Sequence, residues 1–379
     1  MNMDYLNLIA SWCPDVDDEA VEQAKRVVPF AYNHVALMPD AHVGFGVPIG
    51  CVFGTEDVII PNAIGVDIGC GMCAVRTNGM RPSVTMVKNV MGVIRELVPV
   101  GFNHHKEKQA WDWFERHQIS SEVVEAESQR ASYQLGTLGG GNHFIELQVD
   151  DSDTLWVMIH SGSRHLGLAI AKHYHELAKK MNARWHSESC SSDIALLPLD
   201  SDEGKGYIDD MHYALTFAKE NRSRMMDTCI RVLEHVLCIS EESRLDVHHN
   251  YADIEHHFGR NLWVHRKGAI RARAGEAGII PGSQGSSSYI VEGLGNHDSL
   301  TSCSHGAGRT MSRKGACAKL NLAEEIKKLD DQGIVHGIRH QNDLDEAAGA
   351  YKDIDTVMAN QTDLVKVVTK LRPIGVIKG

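Results

Sequence analysis

The stretch Gly65-Val66-Asp67-Ile68-Gly69-Cys70-Gly71-Met72 most constrains what this chain can build. A carboxylate and a thiol, three positions apart, sit in a turn punctuated by glycine. Glycine admits backbone conformations closed to other residues and leaves room for a ligand to approach. A thiolate in such a loop can ligate one cation or bridge two, and Asp67 adds a hard oxygen. A small buried cysteine beside a turn-forming aspartate would give the same pattern, so this stretch alone leaves a metal site and plain packing both open.

The 379 residues, 43% of them hydrophobic, can bury a large core. No segment is apolar for the length of a membrane span, and the first twelve residues lack the basic region and cleavage site of a secretory signal. Nine cysteines, spread from Cys13 to Cys317, suit reduced thiols and a cytoplasmic location. A net charge of −12 argues against wholesale nucleic-acid binding through a basic surface and leaves room for a local basic groove. The 22 histidines need explaining, because several adjoin glycine, serine or asparagine instead of lying on amphipathic faces. With no internal repeat and no linker, one α+β domain over residues 1–379 is expected.

Residues 1–30 read as a helical lead-in, with Asp17, Asp18 and Glu19 at a helix start and Ala20, Val21, Ala24 and Val27 as its stripe. Apolar runs over 35–60 read as buried strands, interrupted by a turn carrying Asp40 and His42. Helices are expected over 86–98, capped by Ser83, and over 106–117, 166–181 and 207–237, the last with a Met-containing core stripe. Residues 155–159 read as a strand, 185–204 as a surface loop, and 269–291 as β-like. Further helices are expected over 310–319 and 351–371.

Polar junctions recur between these elements. Leu135 to Glu146 is a glycine-rich loop ending in Asn142, His143 and a strand. His160-Ser161-Gly162-Ser163-Arg164 follows an apolar run, at the strand end where open sheets tend to hold their sites. Of His248 and His249 only one is expected at any site, because neighbours on a regular element point apart. The Ser/Gly turn 281–289 can bind phosphate through its amides and hydroxyls. His305, Gly306, Gly308 and Arg309 stand before the expected helix 310–319, whose start would offer unpaired amides to an anion. His305 can then serve as a metal ligand or as a nucleophile toward phosphorus, and the anion site with Arg309 favours the second. Asp67, Cys70, His143, His160 and His249 suffice for two metals, which clamp the oxygens of a phosphoryl transfer.

Taken together these motifs resemble the RtcB family of RNA ligases. The resemblance rests on Met38 to His42, Gly65 to Met72, Leu135 to Glu146, His160 to Arg164, His248 to Asn250, Arg266 to Ala269, Ser304 to Arg309 and Lys378-Gly379. It implies the family's α+β fold, with mixed β-sheets around a buried two-metal site. It also implies a GTP- and manganese-dependent ligase, sealing RNA 3′-phosphate or 2′,3′-cyclic phosphate ends to 5′-hydroxyl ends in tRNA splicing or RNA repair. By matching positions, Cys70 bridges two Mn²⁺, completed by His160 and His249 on one side and by Asp67 and His143 on the other. His305 takes GMP, and Asn142, Glu146, Asn250, Ser283, Ser288, Gly306, Ala307, Gly308, Tyr351 and Lys378 hold the guanylate. An archease-type activating protein is an implied partner.

RNA ends need a basic track despite the acidic total. Arg164, Arg266, Lys267, Arg309 and Arg313 are the candidates, with Asp40 and His42 beside them. Cys73 adds a Cys-x-x-Cys with Cys70, able to attract zinc or to oxidise. The nearest rival is a metal-dependent phosphoesterase using water as nucleophile and needing no GTP.

Overall fold

The computed structural model describes residues 8–116, 121–185 and 193–379. Its larger sheet has seven strands in the order β13 (Ala277–Ile280), β14 (Ser288–Gly293), β16 (Val365–Lys378), β6 (Phe144–Val149), β7 (Thr154–Ser161), β5 (Gly71–Met80) and β9 (Glu241–His248). All neighbours in it run antiparallel. A five-stranded sheet has the order β1 (Ile9–Ser11), β2 (Val35–His42), β3 (Ile49–Thr55), β11 (Arg260–Lys267) and β10 (Asn250–His257). Two small ribbons pair β12 (Ala269–Arg271) with β15 (Ser302–Ser304), and β4 (Val58–Ile59) with β8 (Leu197–Pro198).

The main core lies where helices cover one face of the larger sheet. Val87, Val90, Met91 and Ile94 of α2 (Val84–Leu97) and Met225, Met226, Cys229 and Leu233 of α6 (Asp202–Leu237) pack on Val75, Ile145, Val157 and Ile159. Ser83 caps α2 by accepting from the Met86 amide, and Ser201 caps α6 in the same way from Gly204. Helices α4 (Glu122–Gln134) and α5 (Arg164–Arg184) form a second cluster with α6. The other helices are α1 (Asp18–Lys25), α3 (Asp112–Arg116), α7 (Arg313–Lys319), α8 (Leu322–Asp331) and α9 (Ile354–Ala359).

The α+β class and the long helices stand as read, and several boundaries do not. Residues 1–7 lie outside the described part, and the lead-in then opens with β1, parallel to β2, before α1. The Asp40/His42 turn is strand: β2 runs to His42, with its register on β3 broken between Leu37 and His42. Only Asp112–Arg116 of the expected helix 106–117 is helical; residue 117 lies outside the described part. In the expected loop 185–204, residues 186–192 lie outside it too, but Ile194, Ala195 and Leu197 are buried. Helix 310–319 begins only at Arg313, where Ser312 caps it. The expected helix 351–371 is the short α9 followed by β16, whose Val-Lys-Val-Val-Thr run favours extended backbone.

Candidate metal centre and nucleotide cavity

Sheet register gathers the metal-type side chains. His160 on β7 stands directly across from Met72 of β5 and Phe144 of β6, its two neighbours in the sheet. Cys70 and His143, which lie just before those two strands, therefore reach the same end of the sheet. His249 joins them from the crossing between β9 and β10. His248 points away, its Nδ1 3.1 Å from Arg222 Nη2, so one histidine of the pair reaches the site as expected.

The ligand atoms of Cys70, His143 and His160 lie within 4.8 Å of one another, all buried. Cys70 Sγ is 3.5 Å from His143 Nε2 and 3.2 Å from His160 Nε2. Asp67 Oδ2 is 3.0 Å from His143 Nε2, and His249 Nε2 is 3.4 Å from His160 Nε2. His143 Nδ1 faces the Leu138 carbonyl at 2.9 Å, and His160 Nδ1 faces that of Asn142 at 3.0 Å. A carbonyl only accepts, so Nδ1 is the donor in each ring, and Nε2 is the nitrogen left to face inward as a ligand. Burial first, and then the neighbouring His143, holds His160 far below the ordinary histidine range. Burial and the Asp67 carboxylate push the Cys70 thiol well up. Lone pairs converging with a thiol and a carboxylate suit a cation, and carbonyl-anchored imidazoles are the usual outer support of metal ligands. Cys73 takes no part: it lies in the main core with Cys229, its thiol pushed up to about 12 by burial.

Glycine is needed where this group is tightest. A Cβ on Gly162 would stand 2.3 Å from the Asp67 carboxylate, and one on Gly139, at φ +92°, would meet Arg164 and His143. Helix α6 ties the loops down from below. Asn221 Oδ1 accepts the amides of Gly136 and Thr137, and its Nδ2 donates to the carbonyls of Thr137 and Gly162. The wholly buried Arg222 donates to the carbonyls of Gly69 and Ser161 and pairs twice with Asp246. The sequence reading missed both; their signal is a polar pair on the buried face of α6, between Ala218 and Met225.

His305 follows β15 and stands over the same place. Its ring centroid is 4.9 Å from that of His249. Asp40, fully buried in β2, accepts the amides of His305 and Gly306 at 3.1 and 3.2 Å, and its Oδ2 lies 2.6 Å from His305 Nδ1. Those amides are therefore committed to a carboxylate, and with α7 starting at Arg313 no helix start meets an anion at His305.

One cavity joins His305 to the metal-type group. Its walls include His42, Asn142, Glu146, His160, Ser283, Gly306, Ala307, Gly308, Arg309, Arg313, Tyr351 and Lys378. Burial pushes the Glu146 carboxyl up to about 8 and draws Lys378 down. Arg309 and Arg313 each pair with Glu346 at 2.7 Å, and Tyr351 bonds to the same carboxylate. Two candidates lie outside the walls. Asn250 spans Gly268 N and Asp67 O, and the Ser288 hydroxyl accepts from Gln148 and Gly282.

The basic candidates separate. Arg266 has no exposed surface; it pairs with Glu255 at 2.6 and 3.1 Å inside β10 and β11. Lys267 donates to the carbonyls of Phe45 and Val47, and burial draws it down to about 8. These two candidates for the RNA track thus end a buried strand. Arg164 stays beside the metal-type group, at φ +59°, bonded to Thr137 Oγ1 and Gly101 O.

Fold and site define an α+β protein built around a buried group suited to a metal. Residues 23–379 match the family described as RtcB, tRNA-splicing ligase. The chain is 38% identical over 403 residues to an RNA-splicing ligase RtcB of Escherichia coli, covering 96% of this chain and 94% of that one. It is 32% identical over 444 residues to a tRNA-splicing ligase RtcB of Pyrobaculum aerophilum, covering 96% and 91%. Identity to the tRNA-splicing ligase RtcB of Thermococcus kodakarensis is 30% over 441 residues, with the same two coverages. The chain belongs to the RtcB family of RNA-splicing ligases. No helix among the described residues is long and apolar enough to cross a membrane.

Proposed function

We propose that this chain joins RNA 3′-phosphate or 2′,3′-cyclic phosphate ends to 5′-hydroxyl ends, with GTP and Mn²⁺, through GMP carried on His305. The observation that carries the reading is the shared cavity, in which an Asp40-held histidine stands beside the Cys70, His143 and His160 group. Asp40 on the Nδ1 side leaves Nε2 as the nucleophilic nitrogen, as a carboxylate does for other catalytic histidines.

Nε2 of His305 attacks the α-phosphorus of GTP; a P–N bond forms and pyrophosphate leaves. A 3′-phosphate oxygen then takes GMP from His305, restoring the imidazole. That cap turns a poor electrophile into one with a leaving group, and the 5′-hydroxyl attacks the 3′-phosphorus as GMP departs. Water first opens cyclic ends, breaking the bond from phosphorus to O2′ and leaving a 3′-phosphate and a 2′-hydroxyl. Two Mn²⁺, held by Cys70 with His160 and His249 on one side and Asp67 and His143 on the other, would neutralise phosphate charge. Asn142, Glu146, Ser283, Tyr351 and Lys378 line the space for the guanosine, with Asn250 and Ser288 holding its walls. In this reading residues 1–379 act as one domain in the cytoplasm, with an archease-type protein as activator.

The test is incubation with Mn²⁺ and α-labelled GTP, followed by a denaturing gel. An acid-labile label is expected on the wild type and not on His305→Ala or Cys70→Ala. Absence of label on manganese-loaded wild type would favour a phosphoesterase using water.

A further inference from the structure

If Arg266 and Lys267 are buried and Arg309 and Arg313 share Glu346, an RNA strand needs cations from elsewhere. Residues 101–109, expected in part to be helical, are a surface segment of turns and loop instead. Phe102 in it is fully exposed. Lys106 and Lys108 are exposed and make no ion pair among the described residues, on a chain whose net charge is −12. Glu107 is the one acid of the segment. Its backbone is pinned: Asn103 N donates to Val100 O, His105 N to Tyr133 O, and Gln109 N to Ser132 O. Phe102 is therefore held out in water by an anchored loop.

The segment starts at the metal-type group. Gly101 N donates to Gly139 O at 2.8 Å, and Gly101 O accepts from Arg164 Nη2 at 3.2 Å. The space a side chain at Gly139 would take is filled by Arg164 and the His143 ring. An exposed aromatic followed by unpaired cations, leading away from a phosphate-handling centre, is the make-up of a single-strand track. Bases stack on the ring whatever their identity, and cations follow the backbone.

We infer that residues 101–109 bind the single-stranded RNA that leads to the ligated end, a base stacking on Phe102 and phosphates meeting Lys106 and Lys108. The inference rests on the ligase reading for which RNA end is held, and its binding test does not require catalysis.

The probe is a fluorescent single-stranded RNA with a 3′-phosphate, read by anisotropy on the full chain. Phe102→Ala should raise Kd by about 5- to 100-fold, and Phe102→Trp should restore it. Replacing Lys106 and Lys108 together by Ala should make the slope of log K against log salt shallower by about 1.4. Labelling by GTP without RNA should not change in any of these variants. Wild-type Kd and salt slope in both sets of variants would overturn the inference, as would an undetectable Kd for the wild type. A loss of GTP labelling parallel to the loss of RNA affinity would overturn it too. If the wild type takes no GMP yet binds RNA through Phe102, the ligase mechanism fails and this surface stands.

Discussion

Asp40 and His305, 265 residues apart, meet through two contacts, the His305 amide at 3.1 Å and its Nδ1 at 2.6 Å from Asp40 Oδ2, and the Gly306 amide reaches the same oxygen at 3.2 Å. The carboxylate holds the loop through the two amides, and on the proposed mechanism its charge beside the ring would favour an imidazolium formed when Nε2 bonds to phosphorus. Asp40→Asn should lower the rate of GMP labelling by about 10²- to 10⁴-fold. Label accumulation over time, with GTP binding followed separately, checks this; a rate within about threefold of wild type would remove Asp40 from the mechanism.

Gly162→Ala should weaken metal binding without unfolding the chain. The new Cβ would fall 2.3 Å from the Asp67 carboxylate, which must then leave His143. A loss of about 10- to 100-fold in affinity is expected, as for other disturbed ligand supports. Metal content after dialysis against graded chelator, beside a circular dichroism spectrum, reads both.

Asn221→Leu should cost at least about 3 kcal/mol of stability, because it strands two amides and two carbonyls under the site loops. Urea unfolding measures the loss. A variant as stable as wild type would mean that these groups find other partners.

The Glu255–Arg266 pair makes stability depend on acid. Burial pushes Glu255 up, but Arg266 outweighs it and holds the carboxyl far below the usual range. A carboxylate with a depressed folded-state pKa contributes stability that is whole above its unfolded value, about 4.3, and is lost as pH falls through the folded value. Glu255→Gln should destabilise the chain by about 3–5 kcal/mol at pH 7 and flatten the decline below pH 4.3. Denaturant melts of both proteins from pH 7 to pH 3 test the sign and the size.

Local chemistry was readable in the sequence, and partnership across the chain was not. Glycine beside Asp67, Cys70 and His143 marked the converging loops, since those turns need room that no periodic element supplies. Asp40 was hidden because Pro39 and Asp40 are turn formers, and only the distant His305 explains a carboxylate in a buried strand. Arg266 and Lys267 read as candidates for an RNA track until Glu255 and the carbonyls of Phe45 and Val47 are seen beside them. Residues 351–371 misled for another reason: Ile354, Val357, Met358, Leu364, Val368 and Leu371 keep helical spacing, yet the second half pairs as β16. Pairing of that half on β14, with Val365 and Leu371 turned into the core, decides what spacing alone leaves open.

The position of β16 also bears on how the molecule is assembled. It is the latest strand described, yet it lies inside the larger sheet, its first half bonded to β14 and its second to β6. β6 is more than 200 residues earlier. Two portions of sheet must therefore wait, edges open, until this strand has been synthesised, and such edges template aggregation. A chain cut before Val365 would present both edges for good and would lack Lys378 of the cavity, so these RNA ligases should come into being whole or not at all.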